Sequence, residues 1–142
     1  MSQEPTLLYL VKQVELAIRA GLDELVRPAG LTALQYTALT VLERHPDMTS
    51  AHLARRSFVT AQSMADMVTT LRERGLVERH RDPDDRRRLV LALTDAGSAL
   101  LTSLRPKVEA LELRMVAGLS ATEARTLAAS MRSCRESLEP GT

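Results

Sequence analysis

The spacing of apolar residues along the chain predicts six helices and one pair of strands. In residues 7–26, apolar side chains recur every three or four positions, which is the pattern of one helix face. Pro28 and Gly30 predict the end of this first helix, because proline lacks an amide donor and glycine tolerates a positive φ. A second helix is predicted within residues 31–46, where Pro46 ends the apolar pattern.

Polar residues that can cap a helix indicate where the second, third and fourth helices begin. Thr32 and Gln35 have the spacing of a capping box, in which each side chain accepts a hydrogen bond from an amide at the start of the second helix. A short third helix is predicted behind Thr49 or Ser50. Thr60 is the predicted cap of a fourth helix, whose apolar row is Met64, Val68 and Leu71.

A β-hairpin is predicted directly after the fourth helix. That helix should end at Arg74, because Gly75 can adopt the positive φ that closes a helix. Two short strands follow, at residues 76–80 and 87–94, and a turn with a proline joins them. The predicted buried face of the second strand consists of Leu89, Leu91 and Leu93.

Two further helices complete the chain. Thr94 should cap a long fifth helix, in which Pro106 removes one backbone hydrogen bond and should produce a kink. Ser120 and Glu123 form a second capping-box pattern at the start of the sixth helix. Both helices carry apolar positions at the spacing by which helices pack on each other, namely Leu101, Leu104, Val108, Leu111, Met115, Leu127, Met131, Cys134 and Leu138.

Length and charge narrow the class of protein. With 142 residues, the chain is expected to form a single domain over residues 1–142. It has no apolar run of the roughly 20 residues that a membrane span needs, and no export signal, so we expect a cytoplasmic location without membrane contact. The net charge is +1, but residues 51–88 contain nine arginines against six acidic residues. Positive charge is therefore concentrated in one segment.

The short third helix, the fourth helix and the hairpin have the layout of a winged helix-turn-helix. In such a pair the second helix enters the major groove of DNA, and the hairpin reaches the neighbouring minor groove or backbone. The exposed face of the fourth helix should carry short polar groups suited to bases and phosphates, namely Gln62, Ser63, Asp66, Thr69 and Thr70. Arg55, Arg56 and Thr60 are expected to lie toward phosphates.

The stretch "LRERGLVERHRDPDDRRRLVLALTDAG", residues 71–97, resembles the wing of the MarR family of bacterial transcription regulators. The shared pattern is Gly-Leu-Val, then Asp-Pro, then Asp-x-Arg, then Leu-Thr-x-x-Gly. The order of elements is similar to that family from about Leu7 to Leu138. The resemblance implies a mainly α fold with a small β-hairpin wing, in the order α1-α2-α3-α4-β-wing-β-α5-α6.

The resemblance also implies a mechanism. Residues 32–94 would form the winged DNA-binding part, and residues 6–28 and 95–139 would form a homodimer that reads palindromic operator DNA. Arg87 would enter the minor groove with Asp85 orienting it, while Arg86 and Arg88 would contact phosphates or support the wing. Members of the family commonly repress transcription and release DNA when a small, often phenolic or aromatic, ligand binds. Tyr9 and Tyr36 are the candidate ligand contacts.

Other kinds of site have weaker support. His45, Asp47, His52 and His80 contain no histidine pair at helical spacing, so we expect no metal site and no cofactor. Cys134, the only cysteine, lies on the predicted apolar face of the sixth helix and is expected to be buried rather than redox-active.

No enzyme class is supported by the sequence. The chain has no glycine-rich phosphate loop and no Gly-x-Ser-x-Gly turn, and the acidic residues of the wing lie among arginines that would pair with them. Aromatic residues make up only 2% of the chain, which disfavours binding of single-stranded nucleic acid by base stacking. The remaining alternative is a winged-helix module used for protein contacts or for nonspecific DNA architecture.

Overall fold

The structure, a computed structural model, describes residues 4–139. Its helices are α1 (Leu7–Val26), α2 (Ala33–Arg44), α3 (Ser50–Arg56), α4 (Ala61–Glu73), α5 (Asp95–Met115) and α6 (Ala121–Leu138). Strands β1 (Val77–Arg81) and β2 (Leu89–Leu93) lie between α4 and α5 along the chain, and a 3₁₀ turn (Arg27–Ala29) follows α1. The predicted mainly α fold with one hairpin is confirmed.

The helix starts follow the predicted capping residues. Both capping boxes form, one at Thr32 and one at Ser120, with reciprocal bonds between the cap and the third helical residue. Thr49, rather than Ser50, caps α3 by accepting a hydrogen bond on Oγ1 from the His52 amide at 3.2 Å. Thr60 caps α4 in the same way. These bonds satisfy amides that a helix start otherwise leaves without a partner.

One hydrophobic core joins the end of α1 to α2, α3, α4, the hairpin and the first half of α5. Its fully buried side chains include Leu39, Leu42, Leu53, Leu71 and Leu91. The predicted inner row of α4 is buried as expected. Burial of such large apolar side chains supplies most of the driving force that holds these elements together.

The hairpin is antiparallel, with Val77 opposite Leu93 and Arg81 opposite Leu89. Leu91 is buried, but Leu89 is 44% exposed, so the prediction of a buried row is wrong at Leu89. The reason is its place in the register, since Leu89 pairs near the turn, at the end of the hairpin farthest from α5.

Thr94 and Gly97 fasten the hairpin to the start of α5. The Thr94 hydroxyl donates to the Gly75 carbonyl at 2.6 Å and accepts from the Gly97 amide at 3.0 Å, as predicted for a helix cap. The Thr94 amide donates to the Leu76 carbonyl at 3.1 Å. The hydroxyl bonds account for threonine in the Leu-Thr-x-x-Gly pattern, and the glycine is explained by the Leu76 carbonyl oxygen, which would lie 2.2 Å from a Cβ at position 97.

Arg74 links two distant turns. Its Nη1 donates to the Gly30 carbonyl at 2.8 Å, and its Nη2 donates to the Ala29 carbonyl at 2.7 Å. The end of α4 is thereby tied to the turn after α1. Among the arginines of residues 51–88, this one therefore has a structural role.

The chain divides into two units, with a boundary after Val108. The first unit contains the hydrophobic core, and the second contains the last part of α5 and all of α6. Cys134 on α6 is exposed, so the prediction of a buried thiol is wrong for the chain taken alone. None of the helices in residues 4–139 has the length and apolarity that crossing a membrane requires.

Candidate nucleic-acid interface

The helix-turn-helix consists of α3, the turn of residues 57–60, and α4. Leu53 and Ala54 of α3 are buried in the same core as Met64 and Val68 of α4, which fixes the two helices against each other. The Thr60 hydroxyl accepts from the Ser63 amide at 3.1 Å. This bond caps the start of α4. The polar residues of its first turn, Gln62 and Ser63, are exposed.

The outer face of α4 carries the predicted polar side chains, all of them exposed: Gln62, Ser63, Asp66, Thr69 and Thr70. Gln62 Nε2 donates to Asp66 Oδ1 at 3.2 Å, and the Thr70 hydroxyl donates to the Asp66 carbonyl at 3.3 Å. The Gln62 amide is thus held by Asp66 on the face that would meet the edges of the bases. An amide in this place is suited to the N6 and N7 atoms of adenine.

Backbone bonds close the wing turn of residues 82–88. The Asp82 amide donates to the Arg88 carbonyl at 2.9 Å, and the Arg88 amide donates to the Asp85 carbonyl at 2.9 Å. Asp82 also accepts the Asp84 amide on its carboxylate at 2.9 Å. The carboxylate of Asp82 therefore helps to shape the turn.

Asp85 and Arg87 form the pair that the resemblance predicted. Asp85 Oδ1 accepts from the Arg87 backbone amide at 3.1 Å and from Arg87 Nε at 3.2 Å. The Arg87 side chain is 92% exposed. An exposed ion pair of this kind contributes little to stability, so the contact does not account for the pair on grounds of stability.

The other wing arginines make weaker or different contacts. Arg88 lies 3.8 Å from the Asp82 carboxylate, and Arg81 Nη1 donates to the Arg86 carbonyl at 2.9 Å. The side chain of Arg86 is exposed. Arg81 thus braces the turn, a role that the sequence did not indicate, because its acceptor is a backbone carbonyl.

His52 lies among basic side chains of α3 and the wing. Burial lowers its pKa, and the neighbouring cations Arg55, Arg56, His45 and Arg88 lower it further. Arg55 and Arg56 are exposed at the end of α3, and Arg88 belongs to the wing. Basic side chains of the third helix and of the wing therefore lie near one another around His52.

Two of the residues considered for a metal site lie together. His80 Nε2 is 2.9 Å from Asp47 Oδ1, which joins β1 to the turn after α2. Next to this pair, Met48 and Leu91 form an isolated β-bridge. Within residues 4–139 no group of three or more His, Cys, Asp and Glu side chains could hold a metal ion. The His80–Asp47 pair is a contact between the wing and the turn after α2.

The candidate ligand contacts have different environments. Tyr9 is 56% exposed on α1, whereas Tyr36 is partly buried against the core. The pKa of Tyr36 is raised, mainly by burial. The charge of Arg105 opposes this increase, and the charge of Glu43 adds to it. Arg105 Nη2 lies 3.0 Å from Glu43 Oε2, so an ion pair between α5 and α2 adjoins this tyrosine.

A groove of about 360 Å³ lies elsewhere, between α4 and the hairpin. Neither tyrosine lines it. Its lining residues include Val68, Thr69 and Arg72 of α4 and Arg79 and Leu91 of the strands.

Sequence comparison finds HTH-type transcriptional repressors among the relatives of this chain. The family model described as "MarR family" matches residues 29–88, which include α2, the helix-turn-helix, and the first strand and turn of the hairpin. The HTH-type transcriptional repressor Rv2887 of Mycobacterium tuberculosis is 31% identical to the chain over 125 residues. The match covers 88% of this chain and 90% of that protein.

Solved structures share the architecture. Rv2887 in complex with salicylic acid matches with a TM-score of 0.77 at 29% identity, over 94% of this chain and 99% of that one. The apo form of wild-type MarR from E. coli matches with a TM-score of 0.81 at 25% identity, over 93% and 98%. CouR from Rhodococcus jostii RHA1, bound to p-coumaroyl-CoA, matches with a TM-score of 0.85 at 23% identity, over 99% of each chain, which shows a common fold alone.

Proposed function

Because this chain belongs to the MarR family, we propose that it represses transcription by binding a palindromic operator as a homodimer in the bacterial cytoplasm. The chain is a winged helix-turn-helix transcription regulator and not an enzyme. The observation that carries the proposal is the outward Arg87 guanidinium, tethered by Asp85 on a wing beside the exposed polar face of α4. Under this proposal, α4 enters the major groove and Arg87 enters the minor groove.

The apolar surface supports the homodimer. Many large apolar side chains of α1, α5 and α6 are exposed in the single chain: Leu7, Leu8, Tyr9, Leu10, Val11, Val14, Leu16, Leu113, Met115, Leu127, Met131 and Leu138. Large apolar side chains exposed on one helix after another favour a protein–protein interface. A second copy presents the same faces, and a two-fold dimer would place two recognition helices about one turn of DNA apart.

Light scattering tests the dimer directly. The expected mass is twice the 15.7 kDa of the chain. Met131→Lys should shift the protein toward the monomer, because it places a charge in the apolar face of α6. Ser133→Lys is the matched control, since Ser133 lies two residues away and therefore near the opposite side of the same helix. A monomeric wild-type chain at micromolar concentration would overturn the dimer.

The wing supplies the sharpest test of operator binding. Arg87→Ala should weaken binding by about 1 to 3 kcal/mol if the guanidinium reaches the groove. Asp85→Ala should weaken binding as well, although it removes a negative charge, because Arg87 loses its tether. Asp84→Ala is the matched control. Asp84 is an exposed aspartate of the same turn whose described hydrogen bond is made by its backbone amide.

The measurement is fluorescence anisotropy on a duplex found by footprinting the wild-type protein on DNA next to its gene. Weaker binding for Asp85→Ala and equal or tighter binding for Asp84→Ala would separate orientation from simple electrostatics. Equal affinity of the wild type for the footprinted site and for random duplex, at a stated salt concentration, would favour the architectural alternative.

We extend the proposal to an aromatic carboxylic acid as effector, since the similar repressor Rv2887 was solved with salicylic acid. Tyr36, next to the Glu43–Arg105 ion pair, is the better supported of the two tyrosine contacts, because Tyr9 is largely exposed. Salicylate should raise the melting temperature and release operator DNA, and Tyr36→Phe should reduce both effects. An unchanged melting temperature at millimolar salicylate would remove this effector class.

A further inference from the structure

Turns of the same kind close three helix ends in the described part of the chain. In each, a residue with positive φ donates its amide to the carbonyl three residues back, and the next residue donates to the carbonyl five residues back. After α4, the Gly75 and Leu76 amides make these bonds at 2.9 and 3.0 Å. After the 3₁₀ turn, the Gly30 and Leu31 amides make them at 2.8 and 3.3 Å. Both of these turns place glycine at the positive φ.

The third turn, between α3 and α4, places phenylalanine there instead. Phe58 has a φ of 61°, its amide donates to the Arg55 carbonyl at 3.4 Å, and the Val59 amide donates to the Ala54 carbonyl at 3.1 Å. A residue with a Cβ is strained in this conformation, and glycine is not. The position therefore favours glycine on backbone grounds alone.

Burial does not offset this strain. Phe58 is the only phenylalanine of the chain, and it is 89% exposed. Its neighbours have structural tasks, because Val59 packs against the core and Thr60 caps α4. The turn thus presents an apolar ring to solvent from an ordered backbone. A strained residue that contributes nothing to the core indicates a function at that place.

The place of Phe58 in the helix-turn-helix favours DNA as the partner of its ring. Phe58 lies between the exposed Arg55 and Arg56 at the end of α3 and the exposed Gln62 on the first turn of α4. In a helix-turn-helix, the start of the second helix contacts the edges of the bases, so the turn before it lies close to one DNA strand. The apolar groups of that strand are thymine methyls and deoxyribose rings.

We propose that Phe58 is a DNA-contact residue that packs its ring against a thymine methyl or a deoxyribose of the operator. This inference rests on the operator binding proposed above. It adds an apolar contact to a surface whose other members are polar or cationic. Ring burial at the interface would compensate in the complex for the strain that the free protein carries.

Phe58→Gly separates the fold from DNA binding. Glycine relieves the strain, so thermal unfolding should occur at the wild-type temperature or above it. Operator affinity, measured by fluorescence anisotropy, should nevertheless fall by on the order of tenfold, because the buried ring surface is lost. Phe58→Tyr keeps the ring and should remain within a few-fold of the wild-type affinity. A merely structural role for Phe58 would not produce a stable variant with weak binding.

An operator with uracil in place of thymine distinguishes the two contacts. If Phe58 touches a methyl group, uracil should weaken wild-type binding but leave Phe58→Gly binding unchanged. If it touches deoxyribose, uracil should affect both proteins equally while Phe58→Gly still binds weakly.

Two other results would overturn the inference, and they differ. Phe58→Gly binding within twofold of the wild type, with Arg87→Ala impaired, would remove Phe58 alone from the interface. A wild-type protein that prefers no site over random duplex would overturn both this inference and the proposed function.

Discussion

Replacing Gly97 with alanine should destabilise the protein because α5 begins directly against the backbone of Leu76. A Cβ on Gly97 would lie 2.2 Å from the Leu76 carbonyl oxygen and 3.4 Å from Leu93 Cδ2. Real Cβ atoms essentially never approach another heavy atom within 3.0 Å. The start of α5 must therefore move away from the hairpin by roughly 1 Å to restore an ordinary contact distance.

The magnitude follows from two contributions. Overpacking of this kind costs about 1 to 3 kcal/mol. The movement also stretches the bonds of Thr94 to Gly97 and Gly75, which are 3.0 and 2.6 Å long, and each such bond contributes about 1 kcal/mol. We expect a loss of about 3 kcal/mol in the free energy of unfolding. For a chain of this size, the melting temperature should fall by on the order of 10 °C.

Two other glycines provide the controls, and circular dichroism provides the melting curves. Gly118→Ala should melt close to the wild type, because no atom lies within 4 Å of the new Cβ. Gly75→Ala should be intermediate, because it meets no atom but has a φ of 73°, which costs about 1 to 2 kcal/mol. All samples need one protein concentration, since the melting temperature of a dimer depends on it. Equal melting of Gly97→Ala and Gly118→Ala would refute the steric reasoning.

Three further predictions concern the core, a helix cap and pH. Leu71→Ala should lower the free energy of unfolding in urea by about 2 to 5 kcal/mol because Leu71 is fully buried, and a loss below 1 kcal/mol would contradict this packing. Thr60→Ala should cost about 1 kcal/mol in the same assay by removing the cap of α4, whereas Thr69→Ala, on the exposed face, should cost less. Burial and nearby cations lower the pKa of His52 in the folded state, so the unfolded chain takes up a proton at higher pH. Stability should therefore decline as pH falls below about 6.5, and His52→Gln should decline less; equal declines would contradict this assignment.

The helices could be predicted because their signals are local. Capping residues such as Thr32 and Ser120 bond to amides three residues away, so the sequence spacing contains the whole interaction. Gly75 likewise determines the end of α4 through its own φ. Interactions of this range do not depend on which distant element lies nearby.

The contacts that were missed join residues far apart in the chain. Arg74 bonds to carbonyls 44 and 45 residues away, and no spacing rule connects these positions. The Asp47–His80 pair depends on the turn after α2 lying against the hairpin. Leu89 shows the same difficulty, because alternation along a strand predicts a shared face but not how far the core extends beneath it.

Some residues of the candidate interface could be predicted from the sequence alone, some only from the family resemblance, and one not at all. The polar face of α4 followed from helical periodicity, since its inner row was apolar. The task of Asp85 and Arg87 came only from the family resemblance, and the structure places the two groups in contact. Phe58 was missed because its signal is a backbone conformation, which a sequence without a glycine at that position does not reveal.

The acidic residues of the wing raise a physical question, because aspartates would be expected to repel DNA. Their carboxylates are largely engaged, since Asp82 accepts the Asp84 amide and Asp85 accepts both the amide and Nε of Arg87. The carboxylates of Asp82 and Asp85 therefore bond within the turn, while the Arg87 side chain is 92% exposed. For this reason the local order of charges, rather than their near-zero sum, governs how this surface meets DNA.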